Sequence, residues 1–385
     1  MKLGDMMIYL DYAANTPVDK DVLKTYVDAT LKYFGNPNSS HKAGIDAKNK
    51  IDEASRIIAK YFDIKEESVI YTSGSSEANN LVIKGVMEAN KDKGKHIIIS
   101  SLEHSSIIAP VNYLTNHGYE VTVLNVLEDG RVDINELRDA IRDDTILVSI
   151  CYVDSELGTI QPIKEIGELL SHYPNILFHT DATQAIGKIN VDFKNVDFVT
   201  FAPHKFFGIN GVGVLLNINN NKIVPLIHGG KSTTIYRSGT PVISNVLACS
   251  KSVSIALDNL DTRYNYILGL NKYLRNELSI FSNVHINSTK YSIPNTLNFS
   301  LINIDAKKVV KRLEDKGIYL STTSACSLGN TPSKSVYAVT KDLEMAKNSI
   351  RVSMSHLTTL DELKIFIKEF KDIYDEELGY ESNKN

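Results

Sequence analysis

Two segments carry side chains with usable chemistry. The first, residues 197–213, reads DFVTFAPHKFFGINGVG. Its run Phe198-Val199-Thr200-Phe201 has the β-branched and aromatic content of a buried strand, and Pro203 ends it by removing a ladder donor. His204 and Lys205 follow just past that end. Open α/β sheets gather their ligands at the carboxyl ends of strands. Desolvation there lowers a lysine's pKa and makes the amine nucleophilic, as a Schiff-base lysine requires. In the second segment, Ile176 to His179 leads into Thr180-Asp181-Ala182-Thr183-Gln184, placing a carboxylate at another strand end 24 residues before Lys205. A lone strand-capping surface lysine has the same local pattern, so the pairing with Asp181 carries the reading. An amine to hold an aldehyde and a carboxylate to keep a ring nitrogen protonated are what pyridoxal phosphate needs. The glycines at 208, 211 and 213 do not form a dinucleotide loop, because Val212 to Ile218 reads as a strand where that motif requires a helix.

The elements that position these groups alternate. Strands are predicted at Ser68–Tyr71, Lys95–Ser100, Glu120–Val126 and Thr145–Val153, with one helix running to about Lys91 and another over Asn135–Arg142, and this alternation is the pattern of a doubly wound sheet. Thr72-Ser73-Gly74-Ser75-Ser76-Glu77-Ala78-Asn79-Asn80 joins the first of these strands to a helix. A strand, a small polar loop and a helix start make an anion site, since unpaired N–H groups and the helix dipole face the loop. An ordinary serine-capped helix has the same local signature; beside Lys205 and Asp181 the phosphate cradle is the better reading. His104 closes the strand Lys95–Ser100. Residues 244 to 278 read as helical, 306–316 and 361–374 as amphipathic helices, and 294–301 and 349–353 as late strands.

Composition bounds the function class. With 42 basic and 46 acidic residues the net charge is −4, and without a long single-sign block this argues against a nucleic-acid surface. No apolar run reaches the ~18 residues of a membrane span. The opening MKLGDMMIYLDYAA has no hydrophobic signal core, so a cytoplasmic protein is expected. Cys151, Cys249 and Cys326 are too widely spaced for a disulfide framework or a metal site. Cys326 lies in LSTTSACSLGNTP, small and polar without periodicity, which predicts a mobile loop presenting its thiol.

The segments HTDATQAIGK and APHKFFGINGVG resemble the cofactor segments of cysteine desulfurases, the NifS/IscS-like branch of the class V aminotransferases. The resemblance runs from about Tyr9 to Leu378. It implies the type I pyridoxal-phosphate fold: a large doubly wound α/β domain with a mixed sheet over residues 16–260, and a smaller α+β domain made of residues 1–15 with 261–385. On the family pattern, Lys205 holds the cofactor, Asp181 its ring nitrogen, and His104 stacks on its ring and moves protons. Ser75, Ser76 and His204 face its phosphate, Gln184 its phenolic oxygen, and Thr240 in the RSGT segment reaches the phosphate in a partner subunit. Arg351 in SIRVS grips the substrate carboxylate, Asn15 at the site's mouth binds substrate beside it, and Cys326 in the Ser-Ala-Cys triplet carries a persulfide.

Two positions depart from the family. Ser155 stands where an asparagine usually contacts the phenolic oxygen, and Ala202 stands where a serine usually touches the phosphate. The implied reaction converts L-cysteine to L-alanine and passes sulfur through Cys326 to an acceptor protein, for iron–sulfur cluster assembly or tRNA thiolation, in a homodimer. Other class V enzymes, such as a selenocysteine lyase or an aminotransferase, would use Lys205 and Asp181 without Cys326. A degenerate partner platform would keep only the fold.

Overall fold

A computed structural model describes residues 7–230, 232, 234–322 and 331–382. The predicted loop around Cys326 lies outside the described residues. The central sheet has seven strands in the order Val69–Thr72, Gly213–Asn217, Phe198–Phe201, Leu177–Asp181, Thr145–Ser149, His96–Ser100 and Glu120–Leu124. Gly213–Asn217 is antiparallel to both its neighbours and every other pairing between adjacent strands is parallel. The strands at 96–100, 145–149, 198–201 and 213–217 are buried at every position. Helices covering both faces of such a sheet leave no solvent side, which is why these strands read as continuous apolar runs. Only the edge strand Glu120–Leu124 exposes residues.

A second, antiparallel sheet orders Ser349–Ser353, Thr296–Leu301 and Val284–Ile286, and Ile8–Tyr9 pairs in parallel with Ile318–Tyr319. One apolar core forms around Phe178, Phe201 and Val214 of the central sheet. Another joins Ile8 and Leu10 to Phe299, Ile350, Phe366 and Phe370.

The predicted strands recur within a few residues, and the sheet is mixed as the type I fold implies. The helical stretch expected over 244–278 is two helices, Ile243–Asp258 and Leu260–Leu278, separated at Asn259. The closing helix runs Leu360–Ser382, well past the predicted end at Tyr374. Among the described residues no helix is long and apolar enough to cross a membrane.

Candidate active site

All the parallel strands of the central sheet end on the same side, and that edge supplies the site. Thr72 leads to Ser75 and Ser76, Ser100 to His104, Ser149 to Ser155, and Phe201 to His204 and Lys205, while Asp181 is itself a strand's last residue. The register pairs Asp181 with Thr200, which sets the carboxylate one strand over from the lysine. A cleft of about 800 Å³ opens there, walled by Ser75, Ser76, His104, Ser155, Asp181, Gln184, His204, Lys205 and Arg351. Nine of the twelve side chains singled out from sequence therefore share one cavity. Cys326 lies outside the described residues. Asn15 is exposed, beside Ala14 in the wall, and its carbonyl accepts from Tyr9 Oη at 3.1 Å. Thr240 is exposed and lines a separate hollow with Tyr71 and Arg237.

Asp181 is held by donors on both oxygens. Asn79 Nδ2 donates to Oδ2 at 2.8 Å and the Thr183 N–H to Oδ1 at 2.9 Å. Asn79 is a hub: it also donates to Ser106 Oγ at 2.8 Å, and the Thr200 hydroxyl donates to its Oδ1. With its oxygen lone pair taken by Asn79, Ser106 turns its own hydrogen to His104 Nδ1, 2.8 Å away, and the Ser106 N–H reaches the same nitrogen at 3.2 Å. Two donors on Nδ1 assign the ring proton to Nε2. Burial pushes the His104 pKa below the usual histidine value, with Lys205 acting the same way and Asp181 opposing. The imidazole is thus neutral near pH 7, its N–H directed away from Ser106.

Lys205 Nζ donates to Ala13 O at 3.1 Å and also to Ala14 O. The backbone behind it is constrained, for Phe207 has φ 70°, a region bulky side chains rarely adopt. Thr16 Oγ1 holds the Phe207 N–H at 2.8 Å and itself donates to His204 O at 2.9 Å. His204 is pushed down to about 4 by burial and then by Lys205 and Lys188, so it faces the cleft as a neutral hydrogen-bonding ring.

The helix Ser75–Ala89 starts at Gly74, which offers no side-chain cap; its first N–H groups thus remain available for an anion. A Cβ on Gly213 would run into the Gly74 backbone, so glycine is what lets the neighbouring strand approach this turn. Glu77 accepts from the Ser73 N–H at 2.7 Å and from Arg237 at 3.0 Å, tying the Arg237–Thr240 segment to the helix start.

Arg351 is 1% exposed. Its guanidinium donates to Asp11 Oδ1 at 2.7 Å and to Ser155 O at 2.9 Å, while Nε has no partner among the described residues. A buried guanidinium with a spare donor is suited to a carboxylate ligand. Ser155 meets Arg351 through its carbonyl, and Ala202 is fully buried. The flanking Asp154 and Glu156 are also buried: Asp154 accepts from Ser335 Oγ at 2.8 Å, and Glu156 from Ser333 Oγ. Burial, then Glu156, pushes Asp154 up to about 6.

Of the two described cysteines, Cys151 lines the cleft, but burial and then Glu103 raise its thiol well above the ordinary value; burial pushes Cys249 up to about 12. Both thiols stay protonated and unreactive.

An amine, a carboxylate held by two donors, an uncapped helix start with two hydroxyls and a neutral imidazole converge on one cleft. That donor set fits pyridoxal phosphate. Sequence reasoning assigned no role to Asn79, Asp11 or Lys188. Lys188 lies four after Gln184, a spacing that puts both on one face of a helical turn, whereas Asn79 is one more polar residue in the run after Glu77 and carries no such signal.

The aminotransferase class-V family matches residues 8–366. A cysteine desulfurase IscS from Dictyoglomus turgidum is 38% identical over 361 residues, 92% of this chain and 91% of that protein. One from Methanosarcina thermophila is 37% identical over 360 residues, 92% of this chain and 89% of that protein. A solved structure titled NifS-like protein superposes with a TM-score of 0.91 at 31% identity, covering 96% of this chain and all of that one.

Proposed function

The chain belongs to the class V aminotransferase family, and we propose that it is a pyridoxal-phosphate-dependent cysteine desulfurase, releasing L-alanine from L-cysteine and passing the sulfur to its own Cys326. The observation that carries this is the convergence of Lys205, Asp181, His104 and Arg351 on one cleft at the carboxyl edge of the sheet. The similar relatives named cysteine desulfurase support the choice of substrate.

Pyridoxal phosphate, when bound, supplies the electron sink for chemistry at the substrate's α-carbon. Lys205 would hold its aldehyde carbon and Asp181 its ring nitrogen, while Gln184 and Ser155 would serve its phenolic oxygen. Ser75, Ser76 and His204 would take its phosphate, joined by Thr240 of the partner subunit in a homodimer. His104, neutral and with its proton on Nε2, would offer the ring an N–H from the cleft wall. Arg351 orients the substrate carboxylate, its spare Nε donor accounting for part of the grip. Lys205, as a free amine, would take the substrate's α-proton. The Cys326 thiolate then attacks the substrate sulfur: the S–S bond forms as the Cβ–S bond breaks, the bonding pair stays with carbon, and a proton completes alanine. Cys151 and Cys249, with protonated thiols, do not compete for this step. Asn15, outside the cleft wall, is assigned no step.

The two apolar cores support a division into residues 16–260, and 1–15 with 261–385. The final acceptor is a protein thiol in iron–sulfur cluster assembly or tRNA thiolation, and a cytoplasmic setting suits a persulfide that must not be oxidised. Borohydride reduction of the cofactor-loaded protein followed by peptide mapping tests the assignment. The label is expected on Lys205; a label on any other lysine overturns it.

A further inference from the structure

Lys188 is a buried lysine that the reaction as described does not use. It follows Gln184 by four residues in a one-turn segment, where Ile186 N and Ile189 N bond back to Ala182 O and Ala185 O. Gly187, at φ 74°, reverses the chain there, and a Cβ on it would press on Ala256 and Phe206. That turn sets the Lys188 side chain behind Lys205: the two lysines line a common cavity of about 460 Å³.

A hydrogen-bonded chain joins them. Lys188 Nζ donates to Gln184 Oε1, Gln184 Nε2 donates to Ala13 O at 3.0 Å, and Lys205 Nζ donates to the same Ala13 O at 3.1 Å. An ammonium has donors only, so the atom facing it must be the amide oxygen of Gln184. The amide nitrogen is thereby fixed on the other side, with one hydrogen on Ala13 O and the second left over for the cleft that Gln184 lines. No carboxylate forms an ion pair with Lys188 among the described residues. Burial, and then repulsion from Lys205 and Arg351 in the same direction, bring it down to about 7. His204 senses Lys188 in turn. Tyr12, Tyr264, Arg263 and His356 also line the shared cavity, which has no carboxylate in its wall.

We propose that Lys188 is a positioning residue: it locks the Gln184 amide with its oxygen on Lys188 and its nitrogen toward the cleft. This rests on the proposed reaction, in which Gln184 serves the cofactor's phenolic oxygen.

The test uses the full-length chain loaded with pyridoxal phosphate and reads the pH midpoint of its visible band. A donor on the phenolic oxygen favours its deprotonated form, so Lys188→Met, which frees the amide to turn, should raise that midpoint by ~0.5 to 1 unit. Lys188→Arg, which keeps a donor on Gln184 Oε1, should leave it near the parent's. Gln184→Ala should raise it as much, and adding Lys188→Met to Gln184→Ala should move it no further. No shift in Lys188→Met, or a shift that persists in full in the Gln184→Ala background, would overturn the proposal. Borohydride trapping on the parent is scored separately: its failure at Lys205 would remove the functional reading, whereas a label on Lys205 with an unmoved band in Lys188→Met removes this proposal alone.

Discussion

Replacing Glu103 by glutamine gives a quantitative test of the buried electrostatics beside the cleft. Glu103 is 5% exposed; its Oε1 accepts from Ser100 Oγ at 2.5 Å and the Cys151 N–H at 2.9 Å, while Oε2 has no partner among the described residues. Burial pushes its pKa up to about 8, against the opposing hydrogen bonds from Ser100 and Cys151. The folded protein therefore keeps a proton that the unfolded chain has lost from about pH 4.5 upward, and stability falls as pH rises through that window. At 1.36 kcal/mol per unit, the effect between pH ~6 and pH ~8 is roughly 2 to 3 kcal/mol. Glutamine keeps the shape and the Oε1 acceptor but carries no titrating proton. Buried histidines and Lys188, pushed down rather than up, give slopes of opposite sign; these cancel when parent and variant are subtracted. Urea unfolding of the cofactor-free protein over this range should show Glu103→Gln gaining on the parent steadily up to pH ~8 and then levelling. Parallel curves for the two proteins would mean that folded Glu103 carries no raised pKa.

Three further substitutions test the site. Asn79→Ala removes the donor to Asp181 Oδ2 and frees Ser106 from its place under His104; a bond to a charged group is worth ~1.5 to 3 kcal/mol, so cofactor dissociation measured by dialysis should become about 10- to 100-fold easier. Arg351→Lys loses the fork that reaches Asp11 and Ser155 together, and the KM for L-cysteine should rise ~10-fold or more with a smaller change in kcat. Phe207→Gly relieves a positive φ worth ~1 to 2 kcal/mol but removes a buried ring packed on His356 at 4.4 Å between centroids, a loss of ~3 to 5 kcal/mol; packing wins, and the unfolding midpoint should fall.

Much of this site was legible in the sequence because the sheet is buried on both faces. Continuous apolar runs marked the strands, and the polar residues that broke them, Asp181, His104 and His204-Lys205, were those facing the cleft. What stayed hidden depends on contacts between distant segments. Asn79 reads as one more polar residue in a small polar run, and only the fold brings it to Asp181 and Ser106. The helix Ser105–Thr115 was masked by Pro110, a residue that ordinarily ends such a pattern. Asp154 and Glu156 gave no sign that they would meet Ser335 and Ser333, which follow the Cys326 segment in sequence. The break at Asn259 has no glycine or proline to announce it.

Following sulfur from labelled L-cysteine shows where the atom goes. Alanine is expected in amounts equal to the sulfur deposited, with the sulfur mapped to Cys326. In Cys326→Ser, cofactor and L-cysteine should still bind but no sulfane sulfur should appear on the protein. Alanine and free sulfide released by Cys326→Ser at the parent's rate, or sulfur mapped to Cys151 or Cys249, would contradict sulfur transfer through Cys326.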